Sequence, residues 1–278
     1  MAFLERLNQF VSILLNVARQ LIQWRIWLVL IVYYGFQLLI LYVHYDYPSG
    51  PLSVLMTKWV SLFGEETVSA YGHYPQHFML LGKISYWAKL GFGLVFEGVV
   101  LGSVAGLFYR RFAGPGSATD QPSLGTRWFN LTLVWTIVNG LMLAAGQLMP
   151  GLLAQYLTGP RRILAFSFVL MPFVFTLIFS IFFLAIPSVV IYRDDVFKAL
   201  GRSFRHFRRR PMTLFGLGFV ILAIPILLGA MASRPTGIVD SFKPELLYWI
   251  LIASLLSEMI AGFFWMGSAV RFLVEEER

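Results

Sequence analysis

Six stretches of the chain are long and mainly apolar, at about residues 26 to 44, 84 to 109, 128 to 149, 163 to 191, 212 to 232 and 246 to 270. A helix needs about 20 mainly apolar residues to cross a bilayer, so each stretch predicts one transmembrane helix. The pattern therefore predicts an all-α, polytopic membrane protein with six spans in a single domain, residues 1–278. The first stretch does not read as a cleaved leader. Its apolar core begins only after Arg25, and the bulky His44, Tyr45 and Tyr47 follow it where a cleavage site needs small residues.

Outside the spans the pattern turns periodic. In residues 1–24, Leu4, Leu7, Val11, Leu14, Leu15, Ala18, Leu21 and Ile22 recur at helical spacing opposite Glu5, Asn8, Gln9, Ser12, Asn16, Arg19 and Gln20. That predicts an amphipathic helix lying on the inner leaflet. The loop from Asp46 to His77 opens with a turn at Pro48, Ser49 and Gly50, and then Val54, Leu55, Trp59, Leu62 and Phe63 predict a short helix on the outer face. Residues Ala113 to Gly125, rich in Gly, Pro and Ser, read as a flexible linker.

Composition agrees with the pattern and adds orientation. Hydrophobic residues make up 58% of the chain and charged residues 13%, against about half and about a quarter in soluble domains, and the mean hydropathy is +0.72. Alternating the loops places Arg6, Arg19 and Arg25, then Arg110, Arg111 and Arg127, then the run from Arg193 to Arg210, then Arg271 and Arg278 on one side. That side holds 15 of the 22 basic residues and is expected to be cytoplasmic, with both termini, in a bacterial inner membrane. Arg161, Arg162, Arg234 and Lys243 fall in outer loops. The net charge of +8 is then a membrane rim and not a nucleic-acid surface. The absence of cysteine excludes disulfides, thiolate metal sites and a cysteine nucleophile.

The sharpest chemical feature is a pair of acids inside the spans, Glu97 and Glu258, at similar depth, with Asn139 of the third span at that depth too. An ionised carboxylate in the bilayer is costly unless paired or hydrated, so intramembrane acids point to function. Two readings stay open: a proton- or ion-coupled or substrate-binding site, or a carboxyl hydrogen-bonded to Asn139 or a serine that holds the bundle together. Each acid is followed thirteen residues later by an arginine, Arg110 and Arg271, a hint of a duplicated unit. Gly98, Gly102 and Gly106 form a small-residue stripe suited to close packing, within the chain or between copies. Pro172, Pro187 and Pro225 are expected to kink or end their helices. All four histidines, His44, His73, His77 and His206, lie at or outside the span ends, and no HExxH or Gly-x-Ser-x-Gly occurs, so no cofactor, metal or enzymatic chemistry is expected.

The segment from Pro187 to Pro211 carries the most specific text. Asp194 or Asp195 can cap a helix over 194–210 whose Phe197, Leu200, Phe204 and Phe207 face the membrane, while Lys198, Arg202, Arg205, Arg208, Arg209 and Arg210 reach anionic lipid phosphates of the inner leaflet. On Pro187, Asp194, Asp195, Ala199, Leu200, Arg202 and Ser203, the chain resembles a bacterial group of six-helix membrane proteins related to the membrane domain of glycerophosphodiester phosphodiesterases. The resemblance implies a six-span fold with a leading amphipathic helix. The catalytic barrel of the tethered enzymes has no counterpart here, so it implies no phosphodiesterase activity.

The expected role is a permease-like or envelope-associated subunit that handles a lipid or small solute at Glu97, Glu258 and Asn139. A scaffold subunit of a membrane complex, or a homo-oligomer, is the second class. An ABC-type permease is the third, although the Glu-Ala-Ala-x-x-x-Gly text of a coupling helix is missing around Lys198, Ala199, Leu200 and Gly201.

Overall fold

A computed structural model describes residues 2–46, 53–113, 127–233 and 235–277. The turn expected at Pro48, Ser49 and Gly50 lies outside these residues, as does the expected linker beyond Ala113. Helix is the dominant structure: α1 (Ala2–Ala18), α2 (Trp24–Tyr45), α3 (Ser53–Ser61), α4 (Glu65–Tyr71), α5 (Gln76–Ala113), α6 (Trp128–Leu152) and α7 (Pro160–Ala165) lead into a π-helical stretch, Phe166–Leu170. Then come α8 (Met171–Ile181), α9 (Ala185–Ile191), α10 (Val196–Arg209), α11 (Pro211–Ala232), α12 (Pro235–Ser241) and α13 (Leu246–Glu276). No strand occurs among the described residues.

Six of these segments are long and apolar enough to cross a membrane: α2, α5, α6, the compound run Pro160–Ile191, α11 and α13. The chain is an all-α, multi-pass membrane protein, as the hydrophobic pattern predicts. The largest departure is α5, which starts at Gln76 instead of about 84 and runs for 38 residues. Hydropathy misses its first two turns, 76–83, because Gln76, His77 and Lys83 dilute the apolar signal there, yet no proline interrupts 76–89.

The compound span shows how a proline is accommodated. Pro187 cannot donate to the carbonyl of Phe183, four residues back. That carbonyl instead accepts the indole Nε1–H of Trp265 on α13, at 2.8 Å. Between α8 and α9, Ser203 Oγ on α10 accepts the amide of Leu184 at 3.1 Å and donates to the carbonyl of Ile181 at 2.8 Å. The break is thus closed by side chains from two other helices, which satisfies backbone groups that the bilayer could not. Pro225, by contrast, sits inside a continuous α11.

Packing divides the chain into two compact units. The first comprises residues 1–30, 94–223 and 260–278, and the second residues 31–93 and 224–259. The core of the first gathers Ile13, Phe179, Phe183, Leu184, Leu214, Leu217, Phe272 and Leu273. Ile13 and Val17 of α1 are fully buried, and a Cβ built on Gly267 would lie 2.6 Å from Val17. The inner side of α1 is therefore Ile13 and Val17, residues absent from the predicted apolar stripe, while Leu7, Val11 and Leu15 of that stripe remain exposed. Periodicity cannot tell a core-facing stripe from a lipid-facing one, because both environments are apolar. The glycine stripe of α5 packs inside this unit: a Cβ on Gly98 would stand 2.5 Å from the carbonyl oxygen of Leu131 on α6, and one on Gly102 would stand 2.7 Å from the Leu131 side chain.

In the second unit, the single short helix expected after Asp46 is two, α3 and α4, broken at Gly64, whose φ of +106° favours glycine. Val60, Tyr71 and Ile84 form a small buried cluster there. The Tyr71 hydroxyl donates to the carbonyl of His44 at 2.7 Å, tying α4 to the end of α2.

Candidate functional site

Helices of the second unit converge on one cavity of about 560 Å³. Helical spacing selects the lining: Gln37, Ile40 and Leu41 on α2, and Leu251, Ser254, Leu255 and Glu258 on α13, follow i, i+3, i+4 and i+7 steps. Helix α5 adds Met79, Gly82, Lys83, Ser85, Tyr86 and Lys89, the end of α11 adds Gly229 and Ala232, and Pro235 opens α12 at the same wall. A cavity of this size falls in the range of about 300–1,000 Å³ typical of small-molecule sites.

Its wall is mostly aliphatic, with a few polar groups set into it. Lys89 donates to the Glu258 carboxylate, forming an ion pair whose side chains are 31% and 22% exposed. Ser254, one turn earlier on α13, points its hydroxyl at the other carboxylate oxygen, 3.4 Å away. Gln37, on α2, is only 3% exposed, and neither its Oε1 nor its Nε2 has a hydrogen-bond partner. The Ser85 hydroxyl is likewise buried and unpartnered. A buried primary amide with both ends unsatisfied carries a desolvation cost of about 1–3 kcal/mol per group, which a polar ligand or water would relieve. Lys83 is exposed, and no ion pair holds it among the described residues.

The three residues predicted to share a mid-membrane site divide between the units. Glu258 lies in the second, on this cavity. Glu97 and Asn139 lie in the first, both half-buried. The Asn139 amide donates to the carbonyl of Trp135 one turn back on its own helix, at 3.0 Å. Sequence reading missed Lys83, Lys89, Gln37, Ser85 and Ser254. For Lys89 a signal existed, since it is a cation inside a predicted span, the same kind of anomaly that singled out Glu258.

The α10 region of the first unit resolves the predicted lipid-contacting cations into two groups. Asp195 caps α10 by accepting the Lys198 amide at 2.9 Å, and that bond holds its carboxyl below the usual range. Lys198 also pairs with Asp195 through its ammonium, at 3.0 Å. Arg202 grips Asp194 with two bonds, at 2.7 and 3.2 Å, and stacks on Tyr192 at 3.9 Å from the ring centre. Burial and a hydrogen bond to Glu277 push the Tyr192 hydroxyl upward. Arg210 forms an ion pair with Glu276 at 2.6 Å and donates to the Gln9 Oε1 at 2.8 Å. Arg202 and Arg210 are thus held by the protein itself, while Arg205, Arg208 and Arg209 stay at the surface beside the exposed Phe197 and Phe204. Phe207, expected to face the membrane, packs instead against the core of the unit. A further buried cation, Arg127, donates to the carbonyls of Val189 and Val190 at 3.3 and 2.5 Å, closing the end of α9. Burial, and then Arg193, pull its guanidinium below the usual arginine range.

Fold and cavity together define the class, an α-helical multi-pass membrane protein with a polar site set in an apolar wall. No protein-family profile, curated protein or solved structure matches the chain.

Proposed function

We propose that the protein is a non-enzymatic, permease-like subunit of a bacterial cytoplasmic membrane that binds a lipid or small amphiphilic solute in the cavity of its second unit. One observation carries the proposal: a cavity of about 560 Å³ among apolar helices holds a Lys89–Glu258 ion pair and a buried, unsatisfied Gln37 amide. Ionisable groups within spans are rare and mark ligand or ion pathways. Aliphatic walls with a few fixed polar groups suit an amphiphile better than a bare ion. The resemblance of the Pro187–Pro211 text to six-helix membrane proteins belongs to the same proposal, as does the placement of both termini in the cytoplasm.

The chain has no cysteine, so single introduced cysteines report topology and occupancy without background. A cysteine at Gly229, where an added Cβ meets open space, is expected to react with a maleimide and to be protected by added lipid extract. Unchanged labelling at every lipid concentration would remove the binding role. Labelling of cysteines near Ala18 and Glu277 from the periplasmic side would remove the proposed orientation.

A further inference from the structure

We infer that the cavity selects an amphiphile with an anionic oxygen headgroup, a phosphate or carboxylate carried on an acyl chain. This rests on the proposed binding role and adds the chemical class of the ligand. The polar groups around the cavity are unequal in kind. Its donors include the Lys83 and Lys89 ammoniums, the Gln37 Nε2 and the Ser85 hydroxyl, whereas of its acceptors the Gln37 Oε1 is neutral and the one carboxylate, Glu258, is already engaged by Lys89 and Ser254. Two ammoniums against one carboxylate leave the lining with a surplus positive charge, carried by the exposed Lys83, that an entering anion would meet. The two lysines stand six residues apart on α5, a rise of about 9 Å along the helix, so they can approach one headgroup from two sides.

The rest of the lining fits a tail. Ile40, Leu41, Met79, Leu251 and Leu255 supply aliphatic surface next to the donors. A free oxyanion would leave that surface empty, and a hydrocarbon without a headgroup would leave Gln37 and Ser85 unsatisfied. An acyl chain ending in an acceptor-rich group uses both.

The test is binding to the full chain, purified in a neutral maltoside detergent, with three probes: lysophosphatidate, a monoacylglycerol of the same chain length, and inorganic phosphate. Lysophosphatidate is expected to bind at least about tenfold more tightly than either of the others, since a hydrogen bond to a charged group contributes that much or more. Lys83→Gln and Lys89→Gln should each weaken it by about tenfold, with Lys89→Arg restoring most of the loss. Glu258→Gln removes the negative charge from the lining and should leave binding equal or tighter. Gly229→Leu, which changes no charge, should weaken lysophosphatidate by narrowing the cavity. The exposed position of Lys83 keeps Lys83→Gln informative even where changes at Lys89 impair folding.

Equal binding of the monoacylglycerol, unmoved by Lys83→Gln, overturns the anionic headgroup while leaving the binding role intact. Weaker lysophosphatidate binding in Glu258→Gln overturns it too, because the carboxylate would then be reading a donor on the ligand. Inorganic phosphate binding as well as the lipid overturns the tail. Binding of no probe removes the inference, and if lipid extract also fails to protect the cysteine at 229, the binding role falls with it.

Discussion

Replacing Lys89 by Met keeps an unbranched side chain on α5 and removes the ammonium that faces Glu258. The carboxylate is left 22% exposed, with the Ser254 hydroxyl at 3.4 Å as its remaining hydrogen-bond donor on α13. Exposed ion pairs contribute about 0–1 kcal/mol, whereas removing one partner of a fully buried pair costs about 3–5 kcal/mol. Side-chain exposures of 31% and 22% put this pair between those limits. Lys89→Met should therefore cost about 2 kcal/mol, roughly thirtyfold in the folding equilibrium. Glu258→Met should also be destabilising, because it removes the carboxylate that the ammonium faces. The double variant leaves no uncompensated charge and should lie within about 1 kcal/mol of the unaltered protein. The assay is equilibrium unfolding in mixed maltoside and dodecyl sulfate micelles, followed by tryptophan fluorescence and read as a double-mutant cycle. Additive losses, with the double variant as unstable as the two singles combined, would refute the reasoning, since they would mean that neither charge depends on the other.

Three further outcomes are expected. Gly98→Ala should destabilise the first unit by about 1–3 kcal/mol in the same assay, because the new Cβ would sit 2.5 Å from a backbone carbonyl that cannot rotate away; an unchanged midpoint would mean that α5 and α6 are packed more loosely. Ser203→Ala should cost about 1–3 kcal/mol by stranding the Leu184 amide and the Ile181 carbonyl, and hydrogen exchange should quicken at the break between α8 and α9; unchanged exchange there would count against the stitch. His206 is held below its ordinary value of 6.5, chiefly by burial, with Glu276 at 3.7 Å opposing the shift and Arg209, Arg202 and Arg205 adding to it. The folded state binds its proton less readily than the unfolded chain, so this contribution to stability is complete above about pH 6.5 and declines as pH falls through that value toward the lower folded pKa. The stability difference between His206→Gln and the unaltered protein, measured from pH 8 to pH 5, should shift in favour of the variant on acidification, and a flat difference would contradict the burial argument.

Much of this protein could be read from its residues. A run of about 20 apolar residues has few stable states in a bilayer other than a helix, so the six spans follow from composition and length alone. The cap at Asp195 is equally local, since a side-chain oxygen and a backbone amide three residues on suffice to form it. Glu258 announced itself as a charge where charges are costly. Lys89 carried the same signal, but the pairing did not, because the two lie 169 residues apart and no local rule links them. The same holds for Trp265, whose indole reaches from 82 residues away to the Phe183 carbonyl that Pro187 leaves free.

What the chain alone determined was the set of elements: helices that must be buried in lipid or protein, and a few polar residues that must find partners. Which partner each one finds was decided by tertiary structure. Lipid and protein core are both apolar, so hydrophobicity cannot say that Ile13 and Val17 turn inward while Leu7 and Leu15 stay exposed. Only packing distinguishes the two environments, by shape and by hydrogen bonds across helices. That is why Glu258 faces Lys89 on a cavity wall while Glu97 and Asn139, at similar predicted depth, belong to the other unit.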